Sequence, residues 1–132
     1  MKKNGILNSH ISKVLADLGH TDTIVVSDVG LPVPEGVTKI DLALKLGVPS
    51  FKEVLAELAA DMVVEKITIA SEMECDNPEA LDDIRTTFSG CTIEACAHED
   101  FKQKTRSAKV VIRTGEAKPY ANCILQAGVH FG

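Results

Sequence analysis

The stretch Ile24-Val25-Val26-Ser27-Asp28, with the loop from Gly30 to Gly36 after it, decides the fold of this 132-residue chain. Three consecutive β-branched apolar residues that end at a carboxylate are typical of a buried strand. The loop contains two prolines, each of which fixes its backbone φ angle, and this composition predicts a rigid segment. The whole stretch therefore indicates a buried strand that ends at a polar residue and a stiff loop.

On either side of this strand, segments with the two-residue period of strands alternate with segments of helical period. We predict the other strands at 38–44, within 63–70, and at 92–97, 109–113 and 122–127. We predict helices at 11–18, 51–62, 78–88 and 98–107, with Asn8, Ser9 and Ser50 as capping residues. This alternation is the pattern of one compact α/β domain, residues 1–132, with a central sheet of about six strands flanked by helices.

The composition excludes several classes of partner. A formal net charge of −5 disfavours nucleic acid, because proteins that bind a phosphate backbone usually carry a basic surface. No apolar run approaches the ~20 residues of a bilayer-spanning helix, and no apolar segment follows Lys2 and Lys3 as it does in a signal peptide. We therefore expect a cytoplasmic protein that does not insert into membranes.

The cysteines and histidines are dispersed along the chain. None of the four cysteines forms a C-x-x-C pair, and none of the four histidines has H-x-x-x-H or H-x-E spacing. We expect reduced thiols, no metal site and no bound cofactor.

Two polar residues flank the first predicted strand. His20 follows the first predicted helix, where its cation could interact with the helix C-terminus; imidazole is also the side chain best suited to acid/base catalysis near neutral pH. Asp28 could accept hydrogen bonds from the backbone of the loop that it opens, or it could bind a ligand. Ligands of open α/β sheets bind beyond the carboxyl ends of strands, which is the position of Asp28.

Further candidates lie near the other strand ends. In an extended segment, residues two apart project from one face, so Tyr120 and Asn122 on either side of Ala121 could together contact adjacent hydroxyl groups. The alternative is an incidental polar pair at a strand start. His98 and Lys102, four apart at the start of a helix, could jointly hold ligand oxygens, or Lys102 could simply be solvated.

Several ordered segments together resemble the D-ribose pyranase family, which is related to the L-fucose mutarotases, and the resemblance runs along nearly the whole chain. The segments that carry it are Gly5-Ile6-Leu7-Asn8-Ser9, Leu18-Gly19-His20-Thr21-Asp22, Ser27-Asp28-Val29-Gly30-Leu31-Pro32-Val33-Pro34, Val111-Ile112-Arg113-Thr114-Gly115-Glu116, Pro119-Tyr120-Ala121-Asn122 and Gln126-Ala127-Gly128-Val129.

The resemblance implies a cofactor-independent isomerase of free D-ribose in which His20 is the proton donor. It implies that Asp28, His98 and the segment Tyr120, Ala121 and Asn122 bind the sugar. It further implies a homodecamer of two stacked pentameric rings, with sites where subunits meet. Two other functions stay open: an L-fucose-type mutarotase, and a non-catalytic sugar-binding subunit linked to ribose transport.

Chain geometry bears separately on where the site forms. His20 precedes the first strand and Asp28 follows it, and five residues of strand span about 13–16 Å. One small sugar cannot easily touch both ends. Either the turn at His20 folds back over the sheet, or the two residues come from different subunits, which is the hypothesis that we favour.

Overall fold

The computed structural model describes residues 1–131 and shows one six-stranded sheet with helices on both faces. The strands are β1 (Thr23–Ser27), β2 (Thr38–Asp41), β3 (Val64–Ala70), β4 (Thr92–Cys96), β5 (Val110–Arg113) and β6 (Cys123–Ala127). The helices are α1 (Ser9–Asp17), α2 (Phe51–Asp61), α3 (Met73–Asp76), α4 (Pro78–Thr87) and α5 (His98–Lys104), and a 3₁₀ turn follows at Thr105–Ser107. The predicted α/β class is confirmed. The predicted domain ends at Gly132, which lies outside the described residues.

The sheet order is β2-β5-β1-β6-β3-β4, and β6 is the strand that runs against its neighbours. It pairs antiparallel with both β1 and β3, whereas β1 with β5, β2 with β5, and β3 with β4 are parallel pairs. The carboxyl ends of β1 to β5 therefore share one edge of the sheet with the amino end of β6. The opposite edge carries the amino ends of β1 and β3 and the carboxyl end of β6.

Apolar clusters on the two faces of the sheet hold it between helices. Along β1, Ile24 and Val26 join the cluster beneath α1, α2 and α4, whereas Val25 joins the cluster around Phe101 of α5. All three β1 side chains are fully buried. The run of β-branched residues is thus explained by a central strand that is covered on both faces.

Local signals predicted the starts of α2, α4 and α5 correctly, whereas α1 begins at Ser9, before the predicted residue 11, with Asn8 rather than Ser9 as its cap. Asn8 Oδ1 accepts a hydrogen bond from Ile11 N (2.9 Å), and Ser50 forms a capping box with Glu53 at the start of α2. The predicted strand at 38–44 is too long, because Asp41 Oδ1 accepts from Ala43 N and turns the chain. Helix α3 was not predicted, since four residues are too few to show a helical period.

Candidate active site

A cavity of about 250 Å³ opens at the edge of the sheet where the five parallel strands end. It is lined by Asp28, Gly30, Leu31, Pro32, His98, Pro119, Tyr120 and Asn122. Its volume lies below the roughly 300–1,000 Å³ of pockets for drug-sized ligands, so it suits a small molecule. A larger groove of about 540 Å³ between residues 5–8 and α2 contains none of the predicted site residues. The strand-end cavity is therefore the candidate site.

Asp28 is fixed at the mouth of this cavity by hydrogen bonds to both carboxylate oxygens. Oδ1 accepts from Gly30 N and Leu31 N, each at 2.9 Å, and Oδ2 accepts from Asn122 Nδ2 at 3.2 Å. Burial raises the pKa of Asp28, while the hydrogen bonds from Gly30, Leu31 and Asn122 oppose that rise. Asp28 therefore orders its loop and also lines the cavity, and its role in ligand binding stays a prediction.

Tyr120 and Asn122 both line the cavity, but not for the reason that strand spacing predicts. Tyr120 has a φ angle of +57°, and Asn122 N donates to Tyr120 O at 2.8 Å, so the segment is a tight turn rather than extended chain. The predicted extended geometry is wrong. A non-glycine residue at positive φ is uncommon and clusters at functional sites. Between them, Ala121 is fully buried in the core and does not line the cavity, so its contact with a ligand stays a prediction.

Asn122 connects the turn to the Asp28 loop. Besides its contact with the Asp28 carboxylate, its Oδ1 accepts from Asp28 N at 2.8 Å. The amide thus uses both its donor and its acceptor on one residue, which holds the two strand ends together and orients Asp28.

His98 forms the wall opposite Asp28, at the first residue of α5. Its backbone N–H donates to both carboxylate oxygens of Glu72, at 3.0 and 3.1 Å, and its ring lies edge-on to Tyr120 with centroids 5.2 Å apart. Nδ1 of His98 is buried and has no hydrogen-bond partner within residues 1–131. A buried polar atom without a partner is costly and is the kind of group that a ligand hydroxyl can satisfy.

Lys102 lies outside this cavity. Its ammonium group contacts Glu99 Oε1 at 2.8 Å, and its side chain lines a neighbouring cavity of about 220 Å³ with Pro32 and Arg106. Sharing a helix face with His98 is therefore not enough to bring the two side chains into one cavity, and a ligand role for Lys102 stays a prediction.

His20 lies at the opposite edge of the sheet. Its Nε2 is 2.9 Å from Glu65 Oε2 near the start of β3, and the next residue, Thr21, donates its backbone N–H to Ala127 O at the end of β6. The turn at His20 therefore does not fold back over the sheet. The five residues of β1 separate His20 from Asp28 by about 13–16 Å of strand.

Asn77, the residue before the predicted helix at 78–88, contacts the turn that carries Tyr120, and no role in the site was predicted for it. Its Oδ1 accepts from Ala80 N in the first turn of α4 (3.2 Å), and its Nδ2 donates to Pro119 O (2.9 Å). The second contact joins α4 to the turn that carries Tyr120. It is a non-local contact between residues 42 apart in sequence, and no spacing rule could have predicted it.

We expect Asn77→Ala to lower the free energy of unfolding by about 1–3 kcal/mol, because it removes a helix cap and the hydrogen bond to the Pro119 carbonyl. Ser50→Ala is the matched control, since Ser50 also caps a helix but bonds only within its own first turn; it should cost about 1 kcal/mol. Urea unfolding at one protein concentration measures both. An equal loss for the two variants would show that the Pro119 contact contributes nothing.

Within residues 1–131, no group of three or more His, Cys, Asp or Glu side chains could hold a metal ion. No helix among the same residues is long and apolar enough to cross a membrane. The fold and the cavity define an α/β protein with a small cavity lined by carboxylate, amide, phenol and imidazole groups, a lining suited to a small polar ligand.

Comparison with known proteins gives the particular family. Residues 1–130 match the family described as the RbsD / FucU transport protein family. The chain is 63% identical to the D-ribose pyranase of Bacillus licheniformis over 131 residues, which cover 99% of this chain and 100% of that protein. This chain belongs to the RbsD / FucU family.

Two solved structures show the same fold. One is Bacillus subtilis RbsD complexed with D-ribose, with a TM-score of 0.96, 59% identity, and coverage of 99% of this chain and 100% of that one. The other is the fucose mutarotase of Streptococcus pneumoniae in complex with L-fucose, with a TM-score of 0.81, 24% identity and 95% of each chain covered. The second likeness establishes the shared fold alone.

Proposed function

We propose that this chain is a D-ribose pyranase, an isomerase that interconverts the pyranose and furanose forms of free D-ribose. The observation that carries the proposal is the small cavity of hydroxyl-binding side chains in a chain similar along its full length to D-ribose pyranases. The likeness to the ribose complex of Bacillus subtilis RbsD supports D-ribose, rather than L-fucose, as the sugar.

The reaction requires only proton transfers. Ring opening breaks the bond between the anomeric carbon and the ring oxygen, the anomeric hydroxyl loses its proton, and the ring oxygen gains one. Attack on the resulting carbonyl by a different hydroxyl then closes the other ring. No electron is gained or lost and no group leaves, so positioned acid/base groups can supply the catalysis without a metal or an organic cofactor.

The cavity residues are suited to binding the sugar. The fixed Asp28 carboxylate can accept hydrogen bonds from sugar hydroxyls, and the unpaired Nδ1 of His98 can form a hydrogen bond with another sugar hydroxyl. Tyr120 and Asn122 line the cavity beside them and hold the sugar ring. Proton donation to the ring oxygen is assigned to His20, because imidazole exchanges protons near neutral pH.

A complete site then needs two subunits. His20 and the cavity lie at opposite edges of the sheet of one chain, and His20 is half-exposed, so it can reach the cavity of a neighbouring copy. This arrangement agrees with the homodecamer of two pentameric rings that the family resemblance implies. A cytoplasmic location agrees with an isomerase of free sugars. The homodecamer and the cytoplasmic location both stay predictions.

Saturation-transfer NMR on the purified protein tests the function. We expect faster exchange between the β-pyranose and furanose signals of D-ribose than in buffer, and little acceleration of α/β exchange of L-fucose. Acceleration of L-fucose exchange alone would identify a fucose-type mutarotase. Binding of D-ribose in calorimetry without faster exchange would identify a non-catalytic sugar-binding subunit.

A further inference from the structure

Glu65 holds the ring of His20 from the start of β3. Its Oε2 lies 2.9 Å from His20 Nε2, and its Oε1 accepts a hydrogen bond from Gln126 Nε2 at 2.7 Å. Each carboxylate oxygen thus has its own partner: one lies in the segment between α1 and β1, and the other lies on β6. A carboxylate bound in this way has one orientation, and it transmits that orientation to the imidazole.

Glu65 occupies an irregularity in the sheet. In the pairing of β3 with β6, Val64 lies opposite Ala127 and Lys66 lies opposite Gln126, so Glu65 is the extra residue of a β-bulge. Bulges redirect side chains and are over-represented beside active sites. In a regular ladder, Glu65 would point to the face opposite its neighbour Lys66. The bulge instead brings its carboxylate beside Gln126, the residue that pairs with Lys66.

The backbone around this contact is also specialised. Thr21, next to His20, has a φ angle of +74°, which is rare and strained for a β-branched residue. A Cβ at Gly128 would lie 3.0 Å from Val63 Cγ1 and 3.3 Å from Glu65 Cβ, so a glycine lets the chain pass close to the bulge. The strained backbone of Thr21 adjoins His20, and Gly128 lets the chain pack closely against Glu65. Both features help to define the relative position of His20 and Glu65.

We propose that Glu65 is a positioning residue for His20: it binds Nε2–H and thereby presents Nδ1 as the ring atom that exchanges protons with the sugar. The inference rests on the proposed function, since it assumes that His20 is the acid. In ring opening, the Nδ1–H bond of the imidazolium breaks, its proton passes to the ring oxygen, and the bond between that oxygen and the anomeric carbon breaks. The anomeric hydroxyl gives up its proton to solvent as its oxygen forms the carbonyl.

The carboxylate charge matters as well as its geometry. Hydrogen bonds from Gln126 and His20 lower the pKa of Glu65, so the group is ionised at neutral pH. The other charged group that faces Glu65 is Lys66, whose ammonium lies 3.4 Å from Glu94 Oε2 on β4. An ionised carboxylate only accepts hydrogen bonds, so Nε2 of His20, which faces Glu65, carries the hydrogen of that contact. An amide in place of the carboxylate can also donate, and it would no longer fix which ring nitrogen carries the hydrogen.

Glu65→Gln tests this role with almost no change in shape. We expect kcat for ribose exchange to fall about 10-fold to 100-fold, the range typical when the partner that orients a functional histidine is lost. KM should stay nearly constant, because Glu65 does not line the cavity and acts on the sugar only through His20. Glu65→Asp keeps a carboxylate and should recover part of the lost kcat. A fall in kcat at constant KM, with rescue by aspartate, is a result that a merely structural role would not produce.

Glu94→Gln is the matched control, since it removes an exposed carboxylate from the adjacent strand without contact to His20; its kcat and KM should be those of the unmodified protein. Wild-type kcat in Glu65→Gln, with His20→Ala inactive, would overturn the role of Glu65 and leave the proposed function intact. Wild-type exchange in His20→Ala would overturn both.

Discussion

His20→Ala is expected to slow ribose exchange by about 10²–10⁴-fold, the contribution of a positioned acid/base, and so to leave a rate close to that of the free sugar in buffer. Alanine cannot donate a proton to the ring oxygen, whereas the cavity residues of the neighbouring chain that bind the sugar are unchanged. Binding of D-ribose should therefore survive, weakened only by the loss of the His20 contact. Saturation-transfer NMR measures the exchange rate, and calorimetry measures the binding.

The fold should tolerate this change, because the His20 side chain is 53% exposed and belongs to no apolar cluster of the described chain. His10→Ala is the control: His10 is an exposed histidine on α1, away from the cavity, and should leave exchange unchanged. Unchanged exchange in His20→Ala would remove His20 from the mechanism.

Mixed oligomers of His20→Ala and Asp28→Asn are expected to recover activity that neither variant has alone. If each site takes His20 from one subunit and Asp28 from its neighbour, random assembly of equal amounts leaves about a quarter of the sites with both native residues, as follows from the repeated interface of a symmetric assembly. Exchange should thus rise from near the uncatalysed rate to about a quarter of the native rate.

Asp28→Asn suits this experiment because it is nearly isosteric. Its Oδ1 can still accept from Gly30 and Leu31, and the loop should keep its shape, while the charge that binds sugar hydroxyls and the hydrogen bond from Asn122 Nδ2 are lost. The two variants are co-expressed with different affinity tags and purified through both. Oligomers mixed only after assembly are the control. Activity no higher than that of the two parents, in oligomers that contain both, would show that each site lies within one chain.

The sequence predicted the elements whose causes are local. The apolar run from Ile24 to Val26 is buried on both sides because it forms a central strand, and the capping role of Ser50 needs only the three residues after it. Asp28 and His98 could be assigned to one edge because the carboxyl ends of parallel strands meet there. Each of these inferences uses a spacing or a residue type that acts within one element.

Non-local contacts decided the rest of the site. The positive φ angle of Tyr120, the bond from Asn77 to Pro119 and the bulge at Glu65 all depend on which segments become neighbours in the folded chain. Glu65 in particular looks like an ordinary charged residue of a strand until β6 is placed beside β3. A period of two residues could predict the strand, but not the extra residue that redirects this side chain.

A crystal structure of this protein with D-ribose bound is the most direct test of the central claim, that the site is built from two subunits. We predict the sugar in the strand-end cavity, in contact with Asp28, His98 and Asn122 of one chain, with the His20 imidazole of a neighbouring chain within hydrogen-bond distance of the ring oxygen. His20 and Asp28 of one chain in contact with the same sugar would contradict the account.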